Sequence, residues 1–285
     1  MNLSIKIVTD STSCLEKQLR QDLDISVVSL SINMADQSYL EETIDPVSFF
    51  RQIEKYPALP TSSQPGIQDI YDIFEKHIGN GHGVVGIFIS AELSGTYATA
   101  LTAKSMIREK YPEARIEIID SRSTCMQQGF AVLAAARSAH KGESLEQVID
   151  AAREVMKKSK FLFIPQTLDY LKKGGRIGGA SHLLGTVLKI KPILTVIDGK
   201  VAVLKKIRTS EKAIQEILRI FYEDVQKKGF GEGVVHHIND EKGAQTLSEK
   251  IAVHLGVSLP VSPVSPVIGA HVGPGALGIA YYTNK

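Results

Sequence analysis

The sequence predicts an α/β protein of two domains. The first is a three-layer α/β/α unit around a mostly parallel sheet, and the second an α/β unit with a mixed sheet. Three observations predict this. Short Ile- and Val-rich runs alternate with longer helical patterns over residues 1–158, the pattern of strands with helices on both faces. Over residues 159–285 the rhythm changes to paired apolar runs around tight turns. A chain of 285 residues, 43% hydrophobic and 22% charged, suits one large or two modest globular domains.

The strands of the first domain are "IKIV" (5–8), "ISVVSLSI" (25–32), "GVVGIFIS" (83–90) and "RIEIID" (115–120). Helical spacing marks 66–78, 96–111, 126–142 and 144–160. Beyond the boundary, "FLFIPQ" reads as a strand and "TLDYLKKGG" as a short helix stopped by Gly174 and Gly175. "ASHLLGTVLKI" reads as a helix ended by Pro192. Asp198-Gly199 between two apolar runs marks a hairpin. A long helix covers 210–228, and "GEGVVHHIND" and "VIGAHVGPGALGIAYY" supply further strands.

Composition excludes several classes. A net charge of +2 from 33 basic and 31 acidic residues leaves no nucleic-acid footprint. The start "MNLSIKIVTD" enters a strand at once and is not read as a signal peptide, and no apolar run reaches about 18 residues. Cys14 and Cys125 make no disulfide framework and no C-x-x-C pair. A cytoplasmic protein with reduced thiols is expected. "ELSGT" is not G-x-S-x-G, "GNGHGVVG" lacks G-K-[ST], and "GGRIGG" is not G-x-G-x-x-G. His236 and His237, adjacent on a strand, face opposite ways and read as structural, with no metal site.

The segments that leave the strand ends are more informative. "TDSTS" (9–13), "SAELSGT" (90–96) and "DSRST" (120–124) share one rim if the strands are parallel, each before a helix. "PTSSQPG" (60–66) also precedes a helix, with Pro65 suited to its first turn. Taken singly, each hydroxyl is an N-cap. Together, Ser62, Ser63, Ser94 and Thr96 gather small neutral donors where helix starts already attract anions. Gly95 beside Ser94 lets a head group approach the backbone. Carboxylate and phosphate ligands both suit such a rim, so a small phosphorylated or hydroxylated metabolite is the alternative to a lipid acid.

"TDSTS", "PTSSQPG", "LSGTYATA", "LDYLKKGGRIGG" and "HVGPGALGIAYY" together resemble the successive signatures of the DegV family, in order and over nearly the whole chain. That resemblance implies a bacterial fatty-acid-binding protein that is not itself an enzyme and needs no cofactor. It would present a long-chain fatty acid to a separate fatty acid kinase, which makes the acyl phosphate used in phospholipid precursor metabolism. Transient membrane contact is compatible with that role. The acid would lie in a cleft between the domains, its carboxylate near Thr61, Ser62, Ser94, Gly95, Thr96, His271 and Arg176. Asp10, Ser11, Gly273 and Gly275 would shape the cleft loops.

From the residues alone, Arg176 reads as a solvated charge; the resemblance moves it near the head group. His271 reads as a strand residue before a Gly-Pro-Gly turn, whose N–H groups can form an anion nest. Lys205, Lys206 and Arg208 read as a solvated basic edge, and the resemblance makes them a docking surface for the kinase. Two positions depart from the family pattern: Cys14 replaces a common acid, and "DSRSTCMQQGF" is bulkier than usual. Both bear on ligand shape more than on ligand class.

Overall fold

The structure, a computed structural model, describes residues 3–34, 37–55, 58–183 and 190–285. In chain order the first half runs β1 (Ile5–Asp10), α1 (Lys17–Asp22), β2 (Ile25–Val28), β3 (Ser31–Met34), β4 (Gln37–Leu40), α2 (Pro46–Gln52) and β5 (Thr61–Ser63). It continues through α3 (Ile67–Gly79), β6 (Gly83–Phe88), α4 (Thr96–Lys110), β7 (Ile116–Asp120), α5 (Cys125–His140) and α6 (Leu145–Lys158). The second half runs β8 (Ser159–Ile164), α7 (Asp169–Lys173), β9 (Lys191–Ile197), β10 (Lys200–Ile207), α8 (Ser210–Lys228) and β11 (Phe230–His237). It closes with α9 (Glu241–Leu255), β12 (Val261–Pro263), α10 (Pro266–Val272) and β13 (Leu277–Thr283).

The first sheet has the order β2-β1-β6-β7 and is parallel throughout. Its strands are apolar on both faces, as a sheet covered twice requires. Val84 and Phe88 pack with Ile70, Phe74 and Ala103 on the α3/α4 side. Val85 and Ile87 point the other way, to α5 and α6. The second sheet, β10-β9-β8-β13-β11-β12, is mixed: only β11 and β12 pair in parallel. The α/β/α first unit and mixed second sheet agree with the predicted class.

Helix α5 lies between the two sheets and explains its own composition. Eleven of its residues are buried, including Gln128, Gly129 and Ser138, while Arg137 and His140 at its C-terminal end are exposed. One apolar cluster therefore runs from Ile7 through Phe130 to Phe161 and Val267. Gln128 ties the layers by hydrogen bonds, its Nε2 reaching Thr9 Oγ1 at 3.1 Å and Asp10 Oδ2 at 3.2 Å. Asp10 also accepts from the amides of Thr12 (3.0 Å) and Ile89 (2.7 Å). Burial pushes this carboxyl up, and its hydrogen-bond donors pull it back.

Four expectations need correction. The run 25–32 is two strands, because at Leu30 the chain leaves the first sheet. There the Leu30 amide donates to Ser11 Oγ at 3.0 Å, and its carbonyl accepts from Glu41 N at 2.9 Å. Strand β3 then joins a small antiparallel sheet, β4-β3-β5. "PTSSQPG" is not simply a loop: Thr61–Ser63 is a strand of that sheet, and Pro65 stands before the Gly66 N-cap, outside the helix. His271 is on helix α10, which starts at Pro266 in its first turn. The expected helix 180–190 is a 3-10 helix over Gly178–Leu183; positions 184–189 lie outside the described residues, and Pro192 is in strand β9.

The Asp198-Gly199 hairpin matches expectation, with both residues at positive φ (51° and 80°). It also joins the halves. Ser90 Oγ donates to Gly199 O at 2.8 Å, and Lys200–Glu92 (3.1 Å) and Arg122–Asp198 (3.3 Å) flank it.

Replacing Asp10 by Ala leaves the buried amides of Thr12 and Ile89 without their acceptor, while Gln128 keeps Thr9 Oγ1. The expected loss is roughly 2–4 kcal/mol of stability, at about 1–3 kcal/mol per unsatisfied group with partial relaxation. Urea unfolding checks this; a loss below about 1 kcal/mol would deny Asp10 its place at the junction.

Candidate functional site

A cavity of about 300 Å³ opens where β5, the β6–α4 loop, β8 and α10 meet. That is the lower end of the size of small-molecule sites, about 300–1,000 Å³. One end is polar, with Ser62, Ser94, Gly95, Arg176 and His271 in its wall. Most of the remaining wall is apolar, including Leu171, Phe161, Phe163, Ile268 and Val272. A second void of about 20 Å³ lies behind Phe161, Phe163, Ile268 and Val272, which it shares with the first.

At the polar end, Ser62 Oγ and His271 Nε2 are 2.7 Å apart, joining positions 209 residues distant in sequence. The other imidazole nitrogen, Nδ1, is buried with no hydrogen-bond partner among the described residues. Burial, with a smaller contribution from the Arg176 charge, pushes His271 down to about 4. The imidazole is thus neutral at physiological pH. Gly174 makes its seat: a Cβ there would stand 2.3 Å from Nδ1. The glycine pair after α7 therefore serves close packing as well as helix termination.

Arg176 is exposed and held by backbone acceptors, Nε donating to Leu93 O (3.0 Å) and Nη1 to Gly174 O (2.7 Å). No carboxylate pairs with it among the described residues, so its charge remains for an anion at the mouth. Ser94 Oγ lies 2.9 Å from Thr96 Oγ1 and accepts from the Thr96 amide at 3.3 Å. The N-cap of α4 is Gly95 itself. Gln64 sits over this glycine: a Cβ on Gly95 would meet its Oε1 at 1.9 Å, while Nε2 donates to Thr99 Oγ1 at 2.6 Å. Gln64 and Thr124 are lining residues that sequence reasoning passed over. Gln64 lies within "PTSSQPG", but an amide side chain in a polar run gives no chemical signal. The Thr124 hydroxyl is buried and unpartnered among the described residues.

The remaining predicted positions lie elsewhere. Thr61 is exposed, neighbours Ser62 on the strand, and is outside the cavity wall, with Asn33 Nδ2 3.5 Å from its hydroxyl. Thr96 is fully buried and backs Ser94 rather than lining the space. Asp10 and Ser11 are buried supports, Ser11 Oγ accepting from Leu30 N. Gly273 and Gly275 turn the chain at φ 87° and 78°, but their amides donate to Gly269 O and Ile238 O. The expected anion nest is therefore spent on backbone. Lys205 pairs with Glu216 at 2.5 Å, whereas exposed Lys206 and Arg208 border a separate groove with Lys212 and Arg219.

His236 is buried on β11, its Nδ1 3.1 Å from Ser262 O and its Nε2 accepting from Met126 N at 3.3 Å. No group of three or more potential metal ligands clusters among the described residues. The arrangement offers neutral hydroxyls, one neutral imidazole and one unpaired guanidinium at the end of an apolar slot. Ser62 and His271 are spaced like a nucleophile and base, but no acid orients Nδ1 among the described residues. The chemistry that fits is recognition of an anionic head on an apolar body.

A sequence profile of the DegV family, described as uncharacterised proteins, matches residues 4–284. A DegV domain-containing protein of Clostridium acetobutylicum is 50% identical over 283 residues, covering 99% of both chains. Among solved structures, a Thermus thermophilus DegV family protein described for fatty acid binding superposes with a TM-score of 0.90. It is 32% identical, with 99% of this chain and 100% of that one covered. DegV of Bacillus subtilis, described as a fatty acid binding protein, gives 0.89 at 33% identity, covering 99% of each chain.

Because its folded value is depressed, His271 contributes stability that is present above about 6.5. That contribution is lost as pH falls towards about 4. The His271 ring resonance, assigned by its loss in His271→Gln, should titrate near 4. A midpoint near 6.5 would mean that the ring is solvated and the polar end open.

Proposed function

This chain belongs to the DegV family, and from that premise we propose that it binds a long-chain fatty acid and presents the carboxylate to a fatty acid kinase. The observation carrying the reading is the cavity's wall of hydroxyls, one imidazole and Arg176 beside a larger apolar surface. A tail contributes about 0.8 kcal/mol per buried CH₂, so a dozen methylenes supply about 10 kcal/mol before binding costs. The head group then needs satisfaction rather than a tight grip. Ser62 and Ser94 supply donors, and Arg176 supplies charge at the mouth. Because no bidentate clamp closes on it, the carboxylate stays reachable for phosphorylation.

The tail runs past Phe161 and Phe163 towards the void of about 20 Å³ that shares those rings. A small polar metabolite would waste that apolar wall, so the lipid reading is preferred. The kinase docks on the groove bordered by Lys206 and Arg208, both exposed and with no carboxylate partner among the described residues. No helix among the described residues is long and apolar enough to cross a membrane. The protein acts in the cytoplasm, with transient membrane contact to exchange its ligand. The chain itself performs no catalytic step.

Mass spectrometry of ligand extracted from purified protein should find a fatty acid, and a phosphate ester without an acyl chain would overturn the reading. Ser62→Ala with Ser94→Ala should weaken acid binding by about tenfold, the effect of about 1.4 kcal/mol in lost donors. Unchanged binding would remove those hydroxyls from the head-group site. With Lys206→Glu and Arg208→Glu, loading should stay normal while acyl-phosphate formation by the kinase slows by about tenfold. Undiminished turnover would place the docking surface elsewhere.

A further inference from the structure

Helix α10 carries four cavity-lining residues, Val267, Ile268, His271 and Val272, and its start is tied to the first half of the chain by a buried acid. Glu41 is only 3% exposed, in a 3-10 turn (Glu41–Thr43) after β4. Its Oε1 accepts from the Val267 amide at 2.6 Å, while Oε2 has no hydrogen-bond partner among the described residues. Ser265 Oγ, at the N-cap of the same helix, is likewise buried and unpartnered among the described residues. The Ser265 amide donates to Cys14 Sγ at 3.3 Å, a second tie from the first half. At Gly269 α10 rests on Phe50, so closely that a Cβ there would stand 2.0 Å from that ring.

We propose that Glu41 is a positioning residue for the cavity: its carboxyl holds the His271 helix closed, and the hold weakens when that carboxyl ionises. The inference rests on reading the cavity as the ligand site. The groups around Glu41 explain the direction. Asp10 is the nearby acid and raises it, Cys125 lies within its field, and Ser11 and Ser265 lower it without being placed to bond Oε2. No cation pairs with it among the described residues. Desolvation dominates and pushes the closed-state carboxyl up to about 7 from 4.5.

Protonated, the carboxyl is neutral and its burial costs far less than that of the carboxylate. Ionised, Oε2 is a buried charge with one amide donor on its partner atom. Lifting α10 would return the carboxyl to water and its ordinary value. The closed state is therefore favoured below about 4.5 and loses ground as pH rises to about 7.

The test is amide hydrogen exchange in ligand-free protein, corrected for intrinsic rate, at Gly269 and Gly273, whose amides donate to Ser265 O and Gly269 O within α10. Wild-type protection should fall about tenfold or more between pH 5 and 7.5. Glu41→Gln, which keeps the acceptor but cannot ionise, should flatten that dependence to less than about twofold. Glu41→Ala should lower protection at both pH values. The same pH dependence in wild type and Glu41→Gln, or unchanged protection in Glu41→Ala, would overturn the proposal. Because no ligand is used, these outcomes are separate from failure of the fatty-acid reading, which would show only as absence of bound acyl chain.

Discussion

The hydrogen bond between Ser62 and His271 sets the terms for the rest of the molecule. It crosses from a short strand of the first half to a short helix of the second, and both residues are half-buried. Both partners must stay neutral there, because an imidazolium would carry a buried charge without a counter-ion. The strand exists because the chain leaves the first sheet at Leu30 and builds β3 for β5 to pair with. The helix sits where it does because α2, Glu41 and Cys14 receive it. The two supports place a hydroxyl and a ring at hydrogen-bond distance, and the cavity is the space they bound.

A site of this kind divides affinity from chemistry. Apolar burial supplies most of the free energy and does not discriminate the acid end. The polar end contributes little net energy but prevents a large penalty, since a carboxylate lowered among unpartnered groups would be strongly disfavoured. His271 and Thr124 each keep a buried polar atom without an internal partner among the described residues. Buried orphans are uncommon in folded proteins, and in a ligand cavity they mark where an incoming polar group finds its bonds.

Much of this was legible in the sequence. The parallel strands, the hydroxyl-bearing loops after them and the Asp198-Gly199 hairpin arise from local pattern, because β-branched runs and positive-φ turns have few alternatives. Ser94 and Gly95 lie on the rim that parallel topology predicts, whereas Ser62 reaches the cavity from the antiparallel strand β5. What failed was non-local. "VIGAHV" reads as a strand from its Val and Ile content, and only Pro266 at the helix start hints otherwise. The change of sheet at Leu30 depends on Ser11 and Glu41 capturing its backbone groups, which no window of sequence contains. Gln64 and Glu41 carry ordinary side chains at ordinary spacing; only the packing of Gln64 over Gly95 and the burial of Glu41 single them out.

The most direct measurement of the central claim is NMR with a long-chain fatty acid enriched in ¹³C at the carboxyl carbon. The expected result is one slowly exchanging carboxyl signal, with the His271 ring and Ser62 amide resonances moving as it fills. A carboxyl signal that stays at its free, solvated position while His271 and Ser62 are unmoved would contradict it.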